Sequence, residues 1–143
     1  MLFSVWWLAI ATICLYICWN DFRARIIKNQ TITLLLVLLI PLGFASDKSF
    51  YFYQALITFS VGFLLWKLAV FGAGDVKLAS IFALFIEPSY SALVLFIMLV
   101  IGGIEALMYL ATKALKPELI KLHGIPFSIP IVISGLFGLG ASI

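Results

Sequence analysis

Six long apolar stretches separated by short polar connections restrict this chain more than any other feature. They run about 2–19, 31–46, 51–70, 76–86, 89–112 and 125–143. Of the 143 residues, 65% are hydrophobic and 10% charged. A water-soluble domain carries about a quarter charged residues, so this chain could not cover a soluble surface. Open sheet edges cannot sit in hydrocarbon, and no stretch alternates like a barrel strand, so each predicts a helix. The expected fold is an all-α polytopic membrane protein: a compact bundle of six transmembrane helices in one domain, residues 1–143.

The first stretch, Leu2–Trp19, is long enough to cross a hydrocarbon core of about 30 Å. It has no basic leading region and ends in "CLYICWND", not in a small-residue cleavage site, so it predicts a retained helix. Cys14 and Cys18 lie four apart on one face of it. With no His or carboxylate in the same stretch, they read as small buried hydrophobes and not as metal ligands.

Charge alternates between the connections. The first holds Arg23, Arg25 and Lys28; the third holds Lys77, with Lys67 just before it; the fifth holds Lys113, Lys116 and Lys121. The second has only Asp47 and Lys48, and the fourth only Glu87. The positive-inside rule puts the odd connections in the cytoplasm and both termini outside it. The net charge of +3 is spread over these loops with no aromatic-laced basic patch, which sets nucleic acid aside as a partner and leaves the lipid bilayer.

The fourth stretch is short. Its 11 residues from Val76 to Ile86 make about 16 Å of helix, roughly half the hydrocarbon thickness. With Glu87 and Pro88 at the outer end, Asp75 is recessed, where only a water-filled cavity or a protein neighbour tolerates a carboxylate. The backbone from Gly72 to Gly74 then reads as the irregular wall of that cavity.

Six acidic residues exist in the whole chain, so each can be weighed. Asp47, Glu87 and Glu118 read as solvated loop charges. Asp21 has a structural reading as an ion pair with Arg23 or Arg25, and Asp75 as a pair with Lys77 or Lys67. Glu105 either pairs with Lys67, or tunes or replaces one of the two aspartates. Lys67 and Lys77 themselves read as snorkelling charges, His123 as a loop residue, and Pro126 as part of the first turn of the last helix.

Orientation links two of the acids. Asp21 and Asp75 both fall at cytoplasmic helix ends, where packing can bring them together. Two carboxylates in a confined site cannot both ionise easily, which supplies an acid and a base in one pocket. The ionised member activates a water; the protonated one polarises a scissile carbonyl and later helps the amine leave. Such a pair calls for no metal and no cofactor.

"GAGD" at 72–75 fits the G-x-G-D signature of intramembrane aspartyl peptidases. Together with "DFRARIIKN" at 21–29, it makes the chain resemble the type IV prepilin peptidases. The size, the six spans and "GIPFSIPIVISG" at 124–135 resemble the short members linked to tight-adherence (Flp) pili. The resemblance implies Asp21 and Asp75 as the catalytic pair, with Gly72 and Gly74 shaping the loop that lets substrate backbone approach. It implies positioning or topology roles for Arg23, Arg25 and Asn29, which match the stretch after the first aspartate. Lys77 and Glu105 are further candidates for positioning or tuning. Lys28 stands where the family commonly has proline.

The implied substrates are prepilins and pilin-like proteins with a short basic leader, cleaved at the cytoplasmic face of the bacterial inner membrane, with the pilus-assembly machinery as a further partner. Longer family members also methylate the new N-terminus and carry a cysteine-containing insertion. This chain has none, so peptidase activity without methyl transfer is expected. Two other functions fit the acids less fully: an ion- or proton-coupled transport subunit using Asp75, Glu105 and Lys67, and a catalytically inactive pilus-assembly scaffold.

Overall fold

A computed structural model describes residues 2–45, 50–115 and 125–142. Six helices follow one another: α1 (Leu2–Ala24), α2 (Asn29–Ala45), α3 (Phe52–Lys67), α4 (Ala73–Phe85), α5 (Pro88–Leu115) and α6 (Ser128–Ser142). Among the described residues there is no strand. Asp47, Lys48, Lys116, Glu118, Lys121 and His123 lie outside the described residues.

Most helix ends differ from the expected ones, α3 stopping at Lys67 and α5 running on to Leu115 among them, and three of the differences bear on residues singled out in the sequence. α1 runs on to Ala24, taking Asp21 into its last turn. Polar residues mark membrane depth, not the end of a helix. The end comes at Arg25, which adopts φ 55° and donates its amide to the Asp21 carbonyl at 2.9 Å, a left-handed closure of the carbonyl end. α4 begins at Ala73, so Gly74 and Asp75 are helical and the irregular wall stops at Gly72. The extra turn is held by Asp75 itself, which accepts the Gly72 amide at 3.1 Å. α6 begins at Ser128, which leaves Pro126 ahead of the helix and not in its first turn.

The turn between α3 and α4 is also closed through backbone bonds. Ala69 takes φ 57°, and the Ala69 and Val70 amides return to the Trp66 and Leu65 carbonyls, each at 2.9 Å. This satisfies the last carbonyls of α3 and turns the chain back so that α4 packs along it. At 13 residues, α4 is about 20 Å long, still short of the hydrocarbon core.

α4 and α6 form the centre. α3 packs on α4 and α5 on α6; α4 and α6 pack on each other, and α1 and α2 close the group against α6 and α4. Nine of the 15 residues of α6 are buried, against Gly102 alone in the 28 of α5. α6 is therefore core and α5 is periphery. Leu78, Phe82, Ile86, Ile131 and Leu139 meet Ile10, Ile17, Leu35 and Leu39 in one apolar cluster.

Three hydrogen bonds pin the frame. Trp6 Nε1 donates to the Leu38 carbonyl at 2.7 Å, the Tyr51 amide to the Leu84 carbonyl at 2.9 Å, and the Glu87 amide to Ser142 Oγ at 2.9 Å. An open apolar cavity of about 700 Å³ is lined by residues of α3, α4, α5 and α6, among them Gln54, Phe82, Met98 and Gly135.

The outer surface is oily. Leu8, Leu15, Leu56, Leu99 and Leu107 are each more than half exposed, far beyond the scattered apolar residues of a soluble surface. Residues Ser4–Ala24 of α1 and all of α5 are long and apolar enough to cross a membrane.

Candidate active site

Asp21 sits in the last turn of α1 with only 7% of its surface exposed. Its Oδ2 accepts two hydrogen bonds from one residue of α6: the Ser128 hydroxyl at 2.6 Å and the Ser128 amide at 3.2 Å. The first amides of a helix have no partner within it and carry a partial positive charge. α6 thus presents its N-terminus to a carboxylate 107 positions earlier in the chain. Cys18, one turn before Asp21 on α1, lies near Ser128.

Asp75 occupies the first turn of α4. One oxygen, Oδ2, accepts the Gly72 amide; the other, Oδ1, is buried without a hydrogen-bond partner in the protein. Two close approaches shape this corner. A Cβ on Gly72 would meet Asp75 Oδ2 at 2.9 Å, and a Cβ on Gly74 would meet the Cβ of Ile27 at 2.8 Å. Glycine at 74 lets the link between α1 and α2 lie directly against the start of α4. That contact draws the ends of α1 and α4 together.

The charge of Asp21 acts on both Asp75 and Glu105. Arg25 supplies an opposite charge to Glu105. Its Nε and one terminal nitrogen are buried without a partner in the protein, as is Oε2 of Glu105. The site therefore presents open donors and open acceptors side by side. Phe71 and Phe127 form one wall, with ring centroids 4.7 Å apart at 63°, and Phe127 packs on α5 at Gly102. Among the described residues no three His, Cys, Asp or Glu side chains are grouped to hold a metal ion.

The remaining charges go elsewhere. Arg23 lies over the Trp19 ring at 4.7 Å, and Lys67 over the Phe63 ring at 5.2 Å. Lys77 donates to Asn29 Oδ1 at 2.9 Å on the exposed surface. The local ion pairs open to Asp21 and Asp75 are thus replaced by hydrogen bonds to Ser128 and Gly72, and Glu105 faces Arg25 instead of Lys67. The charge of Asp21 thus reaches Asp75 and Glu105, and that of Arg25 reaches Glu105; Arg23 and the Lys77–Asn29 pair make their contacts elsewhere.

Sequence reasoning passed over Ser128, Cys18 and Ile27. Cys18 carries a signal, being three residues before Asp21 and so on the same helix face. For Ser128 the only signal is its place just after "GIPF", where a helix could start.

No curated protein and no solved structure matches this chain. Residues 8–107, well over half of it and including both aspartates, match the type IV leader peptidase family. The six-helix chain that carries Asp21 on α1 and Asp75 on α4 thus belongs to the type IV leader peptidase family.

Proposed function

We propose that this protein is an integral-membrane aspartyl endopeptidase that removes the short basic leader of Flp-type prepilins and pilin-like proteins, without methylating the new N-terminus. What supports the reading is two carboxylates with buried oxygens, Asp21 in the last turn of α1 and Asp75 in the first turn of α4, at helix ends that alternating spans put on one side. Membership of a leader peptidase family supports the reaction class. In this reading one carboxylate takes a proton from the attacking water and later passes it to the leaving amine, while the other donates its proton to the carbonyl oxygen and recovers it as the tetrahedral intermediate collapses. The open donors of Arg25 suit the main-chain carbonyls of an extended substrate.

The topology that goes with this reading has six spans, both termini outside and the site at the cytoplasmic face of the inner membrane. Helix directions support it. Asp21 is at the C-terminal end of α1, while Asp75 and Ser128 are at the N-terminal ends of α4 and α6. Alternating spans put all three ends on one side, the side of Arg23, Arg25 and Lys77.

Co-expression with an Flp-type prepilin tests the proposal. The parent protein should shorten the prepilin by its leader, and Asp21→Asn and Asp75→Asn should each leave it intact. Complete processing by either variant would overturn the paired mechanism.

A further inference from the structure

Ser128 is fully buried, at 0% exposure, and its polar atoms serve a residue of another helix. Both its hydroxyl, at 2.6 Å, and its amide, at 3.2 Å, end on the same oxygen of Asp21. An ordinary capping serine turns its hydroxyl onto an amide of its own helix; this one points it away, at a carboxylate. The hydroxyl bond is also the shorter of the two, in the range of charge-assisted O–H···O contacts.

We propose that Ser128 is a positioning residue for the leader peptidase reaction, holding Asp21 Oδ2 with hydroxyl and amide so that Oδ1 is the oxygen presented to the reacting water. The inference rests on the reading of Asp21 and Asp75 as the reacting pair. Two donors on Oδ2 occupy its acceptor directions and stop rotation of the carboxylate about its last bond. The groups facing Asp21 leave this task to Ser128. Asp75 and Glu105 carry like charge, the charge of Arg25 acts on Glu105, and Cys18 lies near Ser128. Asp75 is oriented in the same manner by a backbone amide, that of Gly72. The two carboxylates are thus each held by Oδ2, one by its own turn and one by α6.

The test compares Ser128→Ala, Ser128→Thr and a control, Ser142→Ala, on purified protein in detergent with an Flp-type prepilin as substrate. Ser142 is equally buried and lies at the far end of α6, where its hydroxyl accepts the Glu87 amide. Ser128→Ala should lower kcat by about 10- to 100-fold, the cost of a misplaced reacting group, with KM unchanged. Ser142→Ala should keep the parent kcat, and Ser128→Thr, which retains a hydroxyl, should recover most of the loss. A Ser128→Ala protein with parent kcat would overturn the proposal, as would an equal loss in Ser142→Ala or a folded Ser128→Thr as slow as the alanine variant. If Ser128→Ala is fully active while Asp21→Asn is inactive, the peptidase reading stands and only the role of Ser128 falls.

Discussion

The two aspartate corners are built by opposite means. Asp75 is held within its own turn, by the amide of a residue three positions earlier, and that bond is exposed. Asp21 is held in the interior by a residue 107 positions later. The Asp75 corner can form as soon as α4 forms. The Asp21 corner exists only once α6 has docked against α1. One half of the site is thus a property of a short peptide, and the other is a property of the packed bundle.

Removing each carboxylate outright should separate the corners most sharply. Asp21→Ala and Asp75→Ala should both lose cleavage by at least about 100-fold, the scale of a missing general acid or base. Stability should not follow activity. Asp21→Ala leaves the Ser128 hydroxyl and amide buried without their acceptor, at about 1–3 kcal/mol. Asp75→Ala frees only an exposed amide, nearer the lower end of the cost of a lost cap, about 0.5 kcal/mol. Thermal unfolding in detergent should rank Asp21→Ala clearly below Asp75→Ala. Equal midpoints would mean that α6 does not depend on Asp21.

Adding one methyl group at the junction of the corners should have the next largest effect. In Gly74→Ala the new Cβ lies 2.8 Å from the Cβ of Ile27, a branched carbon that cannot swing aside without moving the α1–α2 link. The ends of α1 and α4 then separate, and a shift near 1 Å between reacting groups costs up to about 100-fold in rate. Gly72→Ala is the milder change. Its Cβ meets the tip of the Asp75 side chain at 2.9 Å, which can rotate, so only the local corner is disturbed and the loss should be nearer tenfold. Cleavage rates in the reverse order would show that the local corner, not the junction, controls the geometry.

The same division explains what could be read from sequence. The six helices were legible because a long apolar stretch has few polar side chains to satisfy its backbone and must hydrogen-bond within itself, so apolar length alone predicts a helix. The Asp75 corner was legible as well, since the glycines and the acid are neighbours in the chain. Helix ends were not: α1 passes through Asp21 and Arg23 because its stop is a left-handed Arg25, a backbone choice that composition does not announce. Ser128 was hidden for the same reason that Asp21 depends on it. A contact across 107 positions is a product of packing, and no local pattern carries it. The local rule of pairing acids with nearby lysines and arginines failed for Asp21 and Asp75, as Arg23 and Lys67 lie over aromatic faces and Lys77 turns to Asn29, and the charge acting on Glu105 is that of Arg25, not of Lys67.

The smallest effect concerns a second link between the corners, the bond from Lys77 on α4 to Asn29 at the start of α2. It spans the same two segments as the contact of Gly74 with Ile27 and lies two residues from Asp75, so position alone would make it part of the site. Exposure argues otherwise. Water competes for both partners, and a surface substitution of this kind changes stability by no more than about 0.5 kcal/mol. Asn29→Ala should therefore leave prepilin cleavage within about twofold of the parent and the unfolding midpoint almost unmoved. A tenfold loss of cleavage in Asn29→Ala, matched by Lys77→Ala, would instead show that the corners are joined by this polar bond and not by the apolar contact beneath it. The packing favours the apolar contact, because Ile27 and Gly74 leave no room between them for water, whereas Lys77 and Asn29 are open to it.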